Sequence, residues 1–171
     1  MKSRNEIINL VKEGFVCAEI GVWKGQFSRR ILEKKPLQLN LIDPWVHQDY
    51  KGRWYSIEQK KMDTVYNNVL KQFEHFSNVK IHKAFSTDVQ FQENYFDFIY
   101  IDGNHSYEFV LKDLEHYYPF MKSKSLITGD DFGWTDKYCK KGPAAAVIEF
   151  CKNKNLRYHT IRDQFVIEVN K

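Results

Sequence analysis

Short apolar runs alternate along the chain with stretches in which apolar residues return every third or fourth position. Each pattern predicts an element, because a strand covered on both faces is apolar throughout whereas a helix buries one stripe. Residues 6–11 predict a short amphipathic helix. Residues 16–21 (VCAEIG) predict the first strand, followed by a glycine-bounded turn and a helix over 26–34 that Pro36 stops. A second strand is predicted over 39–43, and residues 45–56 read as an aromatic-rich loop. A long helix over 57–76 carries Met62, Val65, Tyr66, Val69, Leu70 and Phe73 on one stripe. Residues 79–82 and 96–102 (FDFIYID) predict the third and fourth strands. Tyr107, Val110, Leu111 and Leu114 mark another helix, 125–129 a fifth strand, and 144–152 a helix led by Pro143. Two final runs, 157–161 and 164–169, are separated by Arg162-Asp163 and predict an antiparallel hairpin. The order is a helix, five strand–helix units and a hairpin, which is an α/β fold with a mostly parallel sheet.

Composition narrows the class. With 171 residues and no Gly/Ser/Pro-rich linker, a single domain over 1–171 is expected. A hydrophobic share of 43% and an aromatic share of 16% suit a packed core and argue against disorder. The net charge of +4 comes from dispersed basic residues, so a nucleic-acid partner is not expected. No stretch approaches the ~20 apolar residues of a membrane span, and the first residues lack a signal-peptide core. Cys17, Cys139 and Cys151 form no CxxC pair and are odd in number, which argues against a disulfide framework or zinc site and favours the cytoplasm.

In an open α/β sheet, ligands bind beyond the carboxyl ends of the strands. Those positions hold Glu19, Gly21 and Gly25 after the first strand, Asp43 after the second and Ser86 after the third. Asp102-Gly103-Asn104-His105 follows the fourth, and Asp130-Asp131 the fifth. The glycine turn suits a dinucleotide, an adenosine-type cofactor, or a tight backbone approach with no ligand. Glu19 stands where a dinucleotide fingerprint has its first glycine; a carboxylate there repels a pyrophosphate but suits a positively charged ligand. Asp43 fits a ribose-binding carboxylate or, alternatively, an Asp-Pro turn. The clustered carboxylates Asp102, Asp130 and Asp131 would repel one another without a cation, a proton or a donor. Oxygen ligands of this kind suit Mg²⁺ or another hard divalent cation. In the alternative, Asp130 caps a loop and Asp131 orients His105. His105 is the candidate general base, unless it is a structural histidine bonded to Asp102 or a carbonyl.

Together, Glu19–Gly25, Ile101–Tyr107 (IDGNHSY) and Asp130-Asp131 resemble class I S-adenosylmethionine-dependent methyltransferases. The likeness extends to a branch similar to metal-dependent sugar and small-molecule O-methyltransferases. It implies a Rossmann-like seven-stranded sheet of order 3-2-1-4-5-7-6, the last strand antiparallel, with helices on both faces. It also implies S-adenosyl-L-methionine bound by Glu19, Gly21, Gly25, Asp43, Ser86 and Asp102, with Mg²⁺ on Asp102, Asp130 and Asp131. His105 or Asp102 would take the proton. Segments 44–56 and 132–142 are then candidate acceptor loops, the first packing its own rings or stacking on a sugar. The acceptor expected is a small molecule of carbohydrate type, its pocket completed by these loops, by the N-terminal helix over 1–14, or by a second subunit in a homodimer. Two rivals stand beside this: a nicotinamide-dependent oxidoreductase, which Glu19 disfavours, and a non-catalytic protein that keeps the cofactor fold.

Overall fold

The computed structural model describes residues 2–49, 56–135 and 140–171. The 50–55 core of the first expected acceptor loop, and residues 136–139 of the second with Cys139, lie outside the described residues. Among the described residues seven strands form one sheet: β1 (Val16–Ile20), β2 (Gln38–Asp43), β3 (Val79–Lys83), β4 (Phe96–Ile101), β5 (Met121–Gly129), β6 (Arg157–Ile161) and β7 (Gln164–Val169). Their order is β3-β2-β1-β4-β5-β7-β6. All neighbours pair in parallel except β7, which runs antiparallel to both β5 and β6. Among the described residues five helices cover it: α1 (Lys2–Ile8), α2 (Gln26–Leu32), α3 (Gln59–Phe73), α4 (Tyr107–Tyr117) and α5 (Pro143–Lys154). Among the described residues no helix is long and apolar enough to cross a membrane.

Strand alternation divides the core between the two faces. Cys17, Phe98 and Tyr100 pack with Ile7 of α1, Phe27 and Ile31 of α2, and Val69 and Phe73 of α3. Ala18, Ile20, Ile99 and Ile101 pack on the other side with Leu114 and Tyr117 of α4 and Val147 and Phe150 of α5. Phe96 and Phe98, two apart, nevertheless join opposite clusters, because the β4–β5 register shifts between them. Asp97 lies in that irregularity, accepting the Val16 N–H at 2.8 Å and Lys122 Nζ at 2.7 Å.

Three elements differ from the sequence reading. The first helix covers Lys2–Ile8 rather than 6–11, which makes Arg4 helical. β5 begins at Met121; its polar start (Lys122, Ser123, Lys124) hid it from an apolar criterion. Only a 3₁₀ turn, Ser86–Asp88, links β3 to β4, so there are four strand–helix units rather than five. Residues 84–95 lack a helical stripe; Phe91 instead inserts among Tyr95, Phe96 and Phe120, with ring centroids 4.7–5.9 Å away.

Candidate active site

The tips of β2, β1 and β4 are stitched together: the Gly21 N–H donates to the Ile42 carbonyl (2.9 Å) and the Asp102 N–H to that of Ile20 (2.7 Å). Gly21 is left-handed (φ +87°), and a Cβ there would lie 2.3 Å from the Asp102 carbonyl oxygen. Glycine is thus required for the two loops to meet. Gly25 serves elsewhere. A Cβ on it would meet Gln72 at 2.7 Å and the Phe73 ring at 2.8 Å, so it seats the start of α2 on α3 and does not line the cleft.

The cleft above these tips has two parts that share Gly21, Trp23 and Asp102. One is bounded by Ile42, Asp43, Met62, Phe85, Ser86 and Asp113. Asp43 is buried at the end of β2, accepting the Trp23 N–H at 3.0 Å and the Trp45 N–H at 2.7 Å. Burial raises its carboxyl above the ordinary range while these donors pull it back. Ser86 donates a short hydrogen bond to Asp113, and the Tyr117 hydroxyl holds the Ser86 carbonyl at 2.9 Å. Burial pushes the Asp113 carboxyl up to about 7.

The second part is lined by Arg4, Glu19, Phe27, Lys24, Asp102 and His105. Alternation along β1 turns Glu19 toward α2, where the Ser28 hydroxyl donates to it. At 1% exposure, burial pushes its carboxyl up to about 8, against the Ser28 hydrogen bond and the Arg4 charge. Beside it, Arg4 lies 2.8 Å from Asp102 and also bonds Asp130. The β5–β7 register sets Gly129 opposite Phe165, which brings Gln164 next to Asp130. The Gln164 amide donates to Asp130 while its oxygen accepts the Tyr100 hydroxyl at 2.6 Å. His105 sits between two carboxylates, Nε2 3.6 Å from Asp102 and Nδ1 3.6 Å from Asp131, with the Trp134 ring 5.9 Å away. Asp131 adopts a left-handed conformation (φ +52°), which Asp tolerates better than most residues.

Most sequence-predicted residues therefore meet at one cleft: Glu19, Gly21, Asp43, Ser86, Asp102 and His105. The expected carboxylate triad is arranged differently. Arg4 bonds both Asp102 and Asp130, which also hydrogen-bond each other, and among the described residues Asp130, Asp131 and Asp163 are the three acids that each place an oxygen within 4.8 Å of the others. Both Asp130 oxygens already accept N–H donors. Trp45 follows the self-packing alternative, being 1% exposed with its indole N–H on the Trp23 carbonyl (2.9 Å) and its ring 5.0 Å from Tyr66. Arg4, Asp113, Ser28 and Gln164 were missed from sequence. Asp113 did leave a signal, as the one acid on the stripe Val110, Asp113, Leu114, Tyr117 that α4 buries.

Comparison with known proteins fixes the family. A family described as a methyltransferase domain matches residues 18–132, more than half of the chain. The chain belongs to that methyltransferase family. This methyltransferase domain is also 30% identical, over 128 residues, to an uncharacterised protein of Acanthamoeba polyphaga mimivirus. That match covers 71% of the chain and spans about half the length (53%) of the curated relative. Among solved structures, the N-methyltransferase NodS of Bradyrhizobium japonicum superposes with a TM-score of 0.71 at 10% identity, covering 99% of this chain and 96% of that one. An S-adenosylmethionine-dependent methyltransferase of Aquifex aeolicus gives 0.59 at 17% identity, over 96% and 87%. The fold is that of S-adenosylmethionine-dependent methyltransferases.

Proposed function

We propose that this domain transfers a methyl group from S-adenosylmethionine to a hydroxyl of a small acceptor of carbohydrate type, with His105 as general base. The observation that carries the reading is His105 at the mouth of the Glu19 side of the cleft, flanked by Asp102 and Asp131. When bound, S-adenosylmethionine supplies a methyl already activated by its sulfonium. Glu19, a buried carboxylate whose one hydrogen-bond donor among the described residues is Ser28, suits a cationic group. Asp43 stands where ribose hydroxyls would be accepted, and Ser86 with Asp113 at the base end. His105 accepts the acceptor proton, and the flanking carboxylates stabilise the imidazolium that forms. Asp102, its side chain more buried than that of His105 and paired with Arg4 at 2.8 Å, orients the imidazole, and His105 takes the proton. Trp134, half-buried beside His105, offers a flat face to a sugar ring.

A second form of the reading, favoured by the grouping of Asp130, Asp131 and Asp163, adds a divalent cation. Loss of transfer on chelation would support that form. The domain is proposed to act in the cytoplasm, in keeping with free buried Cys17 and Cys151, with segment 132–142 or a second copy of the chain completing the acceptor wall.

Calorimetry with S-adenosylhomocysteine, with NAD as control, tests the cofactor. Binding of NAD in its place would overturn the reading. With labelled S-adenosylmethionine and a panel of hexoses and nucleotide sugars, His105→Gln is expected to lose transfer while keeping cofactor affinity. Undiminished transfer would remove His105 as the base.

A further inference from the structure

We propose that Arg4 is the resident cation of the acceptor side, filling between Asp102 and Asp130 the place where the acidic motif suggests a divalent ion. The inference rests on reading this cleft as the cofactor and acceptor cleft.

Three observations carry it. First, both Asp130 oxygens and the nearer Asp102 oxygen are engaged. The Arg4 guanidinium bonds Asp130 and sits 2.8 Å from Asp102, while the second Asp130 oxygen accepts the Gln164 amide, itself fixed by the Tyr100 hydroxyl at 2.6 Å. A divalent ion at Asp102 and Asp130 would have to displace a group that stays charged at any accessible pH. Two cations sharing those oxygens would repel each other at short range in a partly dehydrated site. Second, the guanidinium carbon lies over the rings of Phe27 and Tyr100, 6.0 Å from each centroid.

Third, the helix that delivers Arg4 is anchored. Ile7 and Ile8 of α1, with Val11 just beyond, are buried in the core of that face. Glu6 pairs with Arg162 at 2.9 Å, Asn5 accepts Arg30 at 2.5 Å, and Asn9 accepts Lys34 at 3.2 Å. Arg4 is therefore held in the cleft by α1 as a fixed part of its wall, where its single charge is shared between Asp102 and Asp130 and orients both. It is a positioning residue in this role, and cofactor binding is independent of divalent cations.

The test is Mn²⁺ binding by electron paramagnetic resonance on the full chain, beside calorimetry of S-adenosylhomocysteine with EDTA or Mg²⁺. Wild type is expected to bind Mn²⁺ weakly and S-adenosylhomocysteine equally well in both buffers. Arg4→Ala, and Arg4→Gln should the first variant fold poorly, are expected to gain at least about tenfold in Mn²⁺ affinity, with the gain lost again when Asp130→Asn is added. Tight Mn²⁺ binding by wild type that Asp130→Asn abolishes would overturn the proposal. So would the absence of any gain in folded Arg4 variants. Failure of S-adenosylhomocysteine to bind in either buffer would sink the proposed function instead, leaving the Mn²⁺ result to judge Arg4 separately.

Discussion

Replacing Glu19 by glutamine is expected to stabilise the ligand-free protein while weakening its grip on the cofactor. The Glu19 carboxyl is held at about 8 against an ordinary 4.5, chiefly because it is removed from water. A carboxyl raised in the folded state favours folding only while protonated, so stability falls as pH climbs from the unfolded value toward 8 and levels off above it. At about 1.4 kcal/mol per pH unit, the cost is about 1 kcal/mol near pH 5 and reaches about 5 kcal/mol near pH 9. Glutamine has nearly the same shape, offers an oxygen to the Ser28 hydroxyl, and carries no charge to desolvate. The gap between Glu19→Gln and wild type is thus expected to widen by about 4 kcal/mol between those pH values, or about 8–16 °C in melting temperature for a chain of this size. Melting curves of both proteins across that range read the effect. Calorimetry at pH 8 is expected to show S-adenosylmethionine losing more affinity than S-adenosylhomocysteine, because only the former carries the sulfonium. A pH-independent gap between the two melting curves would refute the coupling of Glu19 ionisation to folding.

Gly21→Ala places a methyl 2.3 Å from the Asp102 carbonyl oxygen in a left-handed residue. The strain and the overpacking together are expected to cost about 2–5 kcal/mol, and a melting temperature equal to wild type would contradict the stitched-tip geometry. Asp113→Asn is expected to erode discrimination between S-adenosylhomocysteine and its 6-oxo analogue, since a carboxylate accepts the purine amine but faces the oxo group unfavourably. Loss of that one hydrogen bond is worth about 1–3 kcal/mol. With its carboxyl at about 7, the same discrimination in wild type is expected to be weaker at pH 6 than at pH 8, and calorimetry at both values measures it.

The sheet was legible because its central strands are apolar on both faces, so VCAEI and FDFIYI announce themselves without any tertiary knowledge. Where a strand begins polar, as β5 does at Lys122–Lys124, or a linker packs through one aromatic ring, as Phe91 does, local pattern fails because the deciding contacts come from elsewhere. The site divides in the same way. Glu19, Asp43, Asp102 and His105 follow from the rule that ligands gather at strand ends. Arg4 could not be read, because it reaches Asp130 across 126 residues from a helix whose own sequence gives no hint of its target.

The buried acids of the cleft are not equivalent, and the difference supports the proposal that a positive ligand pairs with Glu19. Asp43 is satisfied by the backbone N–H groups of Trp23 and Trp45, and Asp130 by Gln164 and Arg4. Asp102 shares Arg4 with Asp130, at 2.8 Å, and burial holds its carboxyl well above the ordinary range against that charge. Asp113 has the Ser86 hydroxyl in a part of the cleft walled by Met62 and Phe85, which suits a flat neutral ring with a donor at its edge. Glu19 also has one hydroxyl, and the Arg4 charge that acts on it is shared with Asp102 and Asp130. An ionised carboxylate that deep in the fold is unfavourable on its own and becomes favourable when a cation arrives from the cleft. On the proposed reading Arg4 and Glu19 thus complement each other: the arginine ties together the acids toward β5, and the carboxylate on β1 is the one a cationic ligand would pair with.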